Sequence, residues 1–131
     1  MEQAARILIV ALGRPDAELS VVLVDDRRIT DLNRDYLDRT GATNVIAFPM
    51  QEGRFSGLSP QLLGDVVISV DTAAREALQA GIPYERRLLQ LLVHGVLHLC
   101  GYDHEHDPAA ARRMAAKSRA LMKKIEMGVK F

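Results

Sequence analysis

The pattern of apolar and polar positions predicts three strands before residue 72. The segment 19–25 (LSVVLVD) is apolar and β-branched, which is the profile of a buried strand. The segments 44–49 (NVIAFP) and 63–71 (LGDVVISVD) have the same profile. The segment 4–12 (AARILIVAL) fits either a strand or a helix, and we favour a helix. The predicted sheet is therefore small, with about three to four strands.

Helical spacing of apolar residues predicts the elements between the strands. The segment 29–37 (ITDLNRDYL) places its apolar residues three to four positions apart, as on one face of a helix. A further helix is expected to begin after Asp71, which is a suitable N-cap, and to end at Gly81. These helices follow the first and third strands directly.

The second half of the chain is predicted to be helical. The segment 84–100 (YERRLLQLLVHGVLHLC) is apolar nearly all round, so it should form a central, buried helix that ends at Gly101. Asp107 is the expected N-cap of a last helix, and Pro108 suits its first position. The sum is an α+β domain, a mixed sheet packed with helices, that covers residues 1–131.

Composition narrows the class of protein only a little. The chain has 131 residues, of which 48% are hydrophobic, enough for one domain with a substantial core. Its one cysteine, Cys100, excludes an internal disulfide and suits a reducing cytoplasm, and we read it as a buried small apolar residue. The sequence shows no signal peptide and no run of about 20 apolar residues that would cross a bilayer. We therefore expect a cytoplasmic protein.

Charge is unevenly distributed although the net charge is zero. Residues 108–131 contain seven basic residues and one acidic residue, a local net charge of +6, so the preceding part carries −6. Such a segment is typical of a face that binds a polyanion, or of a solvated helix surface. The basic residues of this segment are Arg112, Arg113, Lys117, Arg119, Lys123, Lys124 and Lys130.

All four histidines lie within residues 94–106. His94 and His98 are four positions apart on the predicted central helix, so both imidazoles should leave the same face. The glycine turn that follows can bring His104 back towards them. Three imidazoles with an open fourth position form a catalytic zinc centre, whereas His106 is expected to face solvent.

The histidine spacing also matches the metal-binding motif of one class of metalloprotease. In those enzymes a glutamate directly after the first histidine is the general base, and this chain has Gly95 there. A glycine cannot accept a proton, so peptide hydrolysis is disfavoured. Asp103 is a candidate acceptor for the N–H of a ligand histidine. No general base is evident beside the histidines, and Asp103 and Glu105 are the nearest candidates.

Three segments together resemble the YbeY family of bacterial endoribonucleases. The family motif H-G-x-L-H-L-x-G-Y-D-H is met at every fixed position by HGVLHLCGYDH at 94–104. The segment 32–49 (LNRDYLDRTGATNVIAFP) is similar to the family block L-N-x-x-Y-R-x-x-x-x-x-T-[DN]-V-L-S-F-P. The segment 62–69 (LLGDVVIS) is similar to the family strand L-G-D-I-x-I-S. The resemblance covers roughly residues 19–127.

The resemblance implies a fold, a cofactor and an activity. It implies an α+β fold and one zinc ion per chain, held by His94, His98 and His104. The implied activity is a single-strand-specific endoribonuclease that matures the 3′ end of 16S rRNA and acts in ribosome quality control. The implied partners are the small ribosomal subunit, a small-subunit protein and an assembly GTPase. The candidate RNA-binding residues in the last helix are Arg112, Arg113, Lys117, Lys123 and Lys124.

Two departures from the family pattern affect the expected site. Leu37 stands where the family usually has an arginine that is thought to contact substrate phosphate, and Ala47 replaces a common serine. Arg39 is the candidate catalytic replacement, acting with water activated by the metal. Two alternatives to the nuclease remain: a ribosome-assembly factor whose zinc is mainly structural, which Leu37 favours, and a metzincin-like peptidase, which Gly95 disfavours.

Overall fold

The computed structural model describes residues 1–49, 62–102 and 107–128. Eight elements follow one another in these ranges: α1 (Glu2–Ala11), β1 (Glu18–Val24), α2 (Asp26–Leu37), β2 (Val45–Pro49), β3 (Leu62–Ser69), α3 (Val70–Ala80), α4 (Tyr84–Leu99) and α5 (Pro108–Gly128). The α+β class is confirmed, and the segment 4–12 is helical as far as Ala11, as favoured. None of the helices in the described ranges is both long enough and apolar enough to span a membrane.

The strands form one mixed sheet in the order β1-β3-β2, with β1 parallel and β2 antiparallel to β3. β3 is central and supplies most of the buried strand residues. β1 was expected to be buried, and this was wrong, because Val22 and Leu23 are 42% and 47% exposed. The physical reason is position: among the residues that the structure describes, β1 pairs only with β3 and forms an edge of the sheet, so its side chains are less covered than those of the central strand.

The main core lies between the sheet and α4. Val66 and Ile68 of β3 are fully buried against this helix, together with residues of α1 and α5. The other face of the sheet is covered in part by α2, whose Ile29 packs on Ile46 and Val67. α4 is thus the central buried helix that the sequence predicts, enclosed by the sheet and by other helices.

The start of α3 differs from the prediction. Ser69 is its N-cap, because the Ser69 hydroxyl accepts a hydrogen bond from the Thr72 N–H at 3.2 Å. Asp71 lies inside the first turn, and its carboxylate accepts the Asp26 N–H of α2 at 2.9 Å. Asp71 therefore satisfies an otherwise unpaired donor at the start of the neighbouring helix instead of capping its own helix.

Candidate metal centre

Gly95 sets how closely α4 approaches the sheet. A Cβ atom at this position would lie 2.6 Å from Val66 Cγ1 and 3.3 Å from Val45 Cγ2. Both contacts are with valine methyl groups packed between the sheet and α4, so an added methyl would require these side chains to shift. Position 95 faces the sheet, and a glutamate there would point into the core. The glycine of the histidine motif thus has a packing role, independent of chemistry.

His94 and His98 leave the half-buried face of α4 one turn apart. Their Nε2 atoms are 3.1 Å apart, and their ring centroids are 4.6 Å apart with the rings inclined at 61°. The two ring nitrogens therefore converge on one point, as the i, i+4 spacing predicts. The i, i+4 spacing and the side-chain rotamers set this distance, whereas the packing of α4 against β3 and β2 sets the direction in which the histidine face points.

The distance between the ring nitrogens can be compared with that of two zinc ligands. Zinc–nitrogen bonds of about 2.0–2.1 Å at the tetrahedral angle place two nitrogens about 3.3–3.4 Å apart. The observed 3.1 Å agrees within a few tenths of an ångström. Imidazole nitrogen is also a ligand that zinc prefers. The His94 and His98 pair therefore fits a zinc ion.

The rest of the predicted ligand set cannot be placed. His104, Asp103, Glu105 and His106 lie outside the described residues. Within the ranges that are described, no group of three or more His, Cys, Asp or Glu side chains is arranged to hold a metal ion. The three-histidine centre remains a prediction, of which the structure contains two members in suitable geometry.

The end of α4 matches the sequence prediction. Cys100 is half-buried against the main core, and burial raises the pKa of its thiol, although Arg14 opposes the shift. Gly101 has a φ of +91°, a left-handed conformation that favours glycine. The helix therefore ends at Leu99, and the chain leaves the helical conformation before the residues that include the predicted third ligand.

The segment after α2 carries the predicted replacement for the missing arginine. α2 ends at Leu37, which is 40% exposed, and Asp38 follows with a φ of 53°. Arg39 is exposed just beyond this turn, and its N–H donates to the Asn33 carbonyl at 3.2 Å. The Asn33 side chain is buried and donates to the Gly41 carbonyl at 3.0 Å. Asn33, which sequence reasoning missed, therefore holds the segment that presents Arg39.

The predicted RNA-binding residues lie on α5, which begins at Pro108. Asp107 caps the helix as predicted, because its carboxylate accepts the Ala109 N–H at 2.9 Å. Lys117 is half-buried, and the other four are exposed: Arg112, Arg113, Lys123 and Lys124. The helix therefore presents a cationic surface.

Two further polar residues share the histidine face of α4, and sequence reasoning missed them. Gln90, His94 and His98 follow Arg87 by three, seven and eleven positions, so all four residues lie on one face of the helix. The Arg87 Nη1 donates to the Gln90 Oε1 at 2.9 Å. This spacing of polar residues is visible in the sequence, but it is hard to recognise because most residues of the helix are apolar. The partly exposed face of α4 is thus a row of polar side chains that ends at the histidines.

The fold and the paired histidines define an α+β protein with a candidate metal centre on its central helix, and comparison with known proteins identifies the family. The Endoribonuclease YbeY family model matches residues 2–126. The chain therefore belongs to the YbeY family of endoribonucleases, hydrolases that act on RNA.

Individual relatives cover nearly the whole chain. The Endoribonuclease YbeY of Geobacter sulfurreducens is 53% identical over 129 residues, which is 98% of this chain and 86% of that protein. The one from Syntrophotalea carbinolica is 53% identical over 126 residues, which is 95% of this chain and 84% of that protein. A Thermotoga maritima protein solved in solution has a TM-score of 0.66 at 26% identity, covering 95% of this chain and 79% of that one.

Proposed function

We propose that this protein is a zinc-dependent, single-strand-specific endoribonuclease that matures the 3′ end of 16S rRNA and acts in ribosome quality control. Membership of the family supports the nuclease activity. The observation that carries the metal dependence is the convergence of the His94 and His98 Nε2 atoms at 3.1 Å on the half-buried face of α4. His104 is the proposed third ligand.

The proposed mechanism divides the work between the metal and the chain. Zinc, when bound, supplies Lewis-acid polarisation of a phosphoryl oxygen and activation of water. The close approach of α4 to Val66, which Gly95 permits, sets the direction in which the histidine face points. Asp103 would accept a ligand N–H and fix the orientation of that ring. Arg39 would stabilise the negative charge that develops on the phosphoryl group.

RNA would bind through its phosphates. The α5 cations Arg112, Arg113, Lys117, Lys123 and Lys124 are the proposed contacts, and their affinity should fall as salt rises. The chain has only six aromatic residues, so recognition by extensive base stacking is disfavoured. The proposed partners are the cytoplasmic small ribosomal subunit, one of its proteins and an assembly GTPase, which would present the rRNA end.

The test compares zinc-loaded wild type, His98→Ala and His106→Ala on an RNA that covers the 3′ end of the 16S rRNA precursor. Fragments are resolved on a denaturing gel. We expect cleavage by the wild type and by His106→Ala, and a loss of more than about 100-fold in His98→Ala, because a ligand is removed. Equal fragments from all three proteins would indicate a contaminating nuclease and leave the activity without support.

A ribosome-assembly factor with a structural zinc is the second candidate. It is favoured by Leu37, which is 40% exposed at the end of α2 where the family usually has arginine. In that case His106 or another protein ligand would fill the fourth zinc position, since structural sites are closed. Loss of zinc from His106→Ala, together with no RNA cleavage by the wild type, would favour this candidate over the nuclease.

A further inference from the structure

An open groove of about 760 Å³ lies between the first half of α4 and the second half of α5. Its polar lining residues include Arg86, Arg87 and Gln90 from α4. α5 contributes Arg119, Lys123 and Glu126. Four of these six side chains are cationic and one is acidic. The groove is therefore a strongly basic surface, outside the histidine pair.

Two of the four cations are already neutralised. Arg86 forms an ion pair with Glu126, which joins the two helices across the groove. Arg87 pairs with Glu76 of α3 at 3.0 Å. Arg119 and Lys123 form no ion pair with any residue in the part of the chain that the structure describes. The groove thus retains about two unpaired positive charges for an anionic ligand.

The wall of the groove on α4 is held in place before any ligand binds. The Arg87 side chain is only 25% exposed, and its guanidinium donates to Glu76 and to Gln90. Glu76 also accepts from the Asn44 side chain at 3.2 Å. An arginine fixed in this way loses little conformational entropy when it approaches a phosphate.

The groove and the histidine pair lie along the same helix face. α4 and α5 are antiparallel, since Arg86 meets Glu126 while Cys100 shares a pocket with Ala110 and Arg113. Gln90 is one turn before His94, and Arg87 is about 10 Å from His94 along the helix axis. An extended molecule in the groove can therefore reach the histidines, whereas a single phosphate cannot occupy both places.

We propose that this groove binds the phosphate backbone of single-stranded RNA one or more nucleotides away from the bond that is cleaved. Arg119 and Lys123 make the main contacts, and Arg87 and Gln90 form the wall that leads to the histidines. The inference rests on the proposed nuclease function and adds a binding subsite to it. Charge complementarity selects the ligand, because the groove is basic and RNA offers a phosphate at every nucleotide.

The binding test removes the two unpaired charges with Arg119→Ala plus Lys123→Ala. The matched control, Arg6→Ala plus Arg27→Ala, removes two exposed arginines that do not line the groove. The probe is a labelled single-stranded DNA of about twelve nucleotides, which offers the same phosphates without being an RNA substrate. Affinity is measured by fluorescence anisotropy over a range of salt concentrations.

We expect the groove variant to bind about tenfold more weakly at low salt than the wild type. The slope of log affinity against log salt should decrease by about 1.4, since each single-strand phosphate contact contributes about 0.7. The control should keep the wild-type slope. Equal salt slopes in the groove variant and the control would overturn the proposal. It would also be overturned if polyglutamate displaced the probe as effectively as RNA does at the same concentration of negative charge.

A cleavage test separates this subsite from the nuclease centre. The groove variant should show a KM raised about tenfold for an RNA of about twelve nucleotides. A dinucleotide without terminal phosphates has no phosphate besides the one that is cleaved, so the groove variant should lose less than about twofold on it. Equal losses on both RNAs would overturn the subsite. If the wild type cleaves neither RNA, but the groove variant still shows the smaller salt slope in the binding test, the nuclease function is overturned and the groove remains supported as a phosphate-binding site.

Both variants are compared with the wild type in thermal unfolding first. Alanine is the strongest helix former, so the exposed substitutions on α5 should leave the fold intact. If the groove variant unfolds at a lower temperature, Arg119→Gln plus Lys123→Gln is used instead, because glutamine retains more of the aliphatic part of the side chains than alanine does. The expected slope change is the same, since the charge removed is the same.

Discussion

Two polar clusters in this fold are built from different kinds of partner. The first is centred on Asp26, at the point where α2 and α3 begin. Its carboxylate accepts hydrogen bonds from the Ser69 and Thr72 hydroxyls, both at 2.6 Å, and pairs with Arg75 at 2.8 Å. The second is the His94 and His98 pair, in which two groups of the same kind meet at 3.1 Å.

The difference separates a cluster that the chain itself satisfies from one that is proposed to bind a metal ion. At Asp26 each donor and acceptor complements another, so the chain itself satisfies the carboxylate. Ser69, then Thr72 and Arg75, lower the pKa of Asp26 to about 2 although burial opposes the shift. In the histidine pair the Nε2 of one imidazole can donate to the Nε2 of the other, but the same converging nitrogens also suit a shared cation. Zinc should therefore affect the second cluster and leave the first unchanged.

The largest expected effect is the stabilisation by zinc. At a free zinc concentration about 100 times the Kd, the wild type should gain about 2.7 kcal/mol of unfolding free energy, or about 10 °C in Tm. His98→Ala should lose this gain, whereas Asp26→Asn should keep it on a lower baseline. The measurement is thermal unfolding by circular dichroism after chelation, with and without added zinc.

The zinc comparison has two informative failures. A full Tm gain in His98→Ala would mean that zinc binds elsewhere, and the metal proposal would then have no support. A gain that disappears in Asp26→Asn would mean that the two clusters are coupled, and the contrast between them would be wrong.

Gly95→Ala is expected to have the next largest effect, and it tests how the histidine face is positioned. The added methyl would meet Val66 at 2.6 Å, so overpacking should lower the unfolding free energy by about 1–3 kcal/mol. Combining it with Val66→Ala should cost less than the sum of the two single changes, because the same space is vacated. Urea unfolding of all four proteins measures this. A Gly95→Ala variant that is more stable, as helix propensity alone dictates, would contradict the close contact.

Local sequence signals predict the elements well because they depend on near neighbours. The helix spacing of α4 and the four-residue spacing of its histidines need no knowledge of the fold. The N-cap of α3 was placed at Asp71 because aspartate and serine are both good caps. What decides for Ser69 is the contact between Asp71 and α2, which brings together residues 45 positions apart.

The features that were missed all depend on tertiary arrangement. The exposure of Val22 in β1 follows from its place at the edge of the sheet, which the composition of the strand does not reveal. The packing role of Gly95 follows from Val66 on another element, so the sequence suggested only the lack of a general base. The groove needs α4 and α5 side by side, and the role proposed for Arg87 depends on its lining the same groove as Arg119.

The smallest expected effect is that of Asp26→Asn, which tests how much the Asp26 cluster contributes to the stability of the fold. Loss of the charge should lower the unfolding free energy by about 1–2 kcal/mol at neutral pH, a reduced value because the carboxylate is partly exposed. The folded-state pKa of about 2 lies below the ordinary value of 3.8, so the stabilisation is present above pH 3.8 and lost as pH falls towards 2. The difference in unfolding free energy between wild type and variant should therefore be constant above about pH 5 and narrow between about pH 4 and 2.

Urea unfolding at a series of pH values tests this prediction, with Asp35→Asn as the control on the same helix. Asp35 lies on the exposed surface and, within the described part of the chain, its carboxylate pairs with Arg34 at 2.9 Å, so its substitution should change stability by less than about 0.5 kcal/mol. An Asp26→Asn difference that persists unchanged at about pH 2 would show that the contacts depend on shape and not on the charge of the carboxylate.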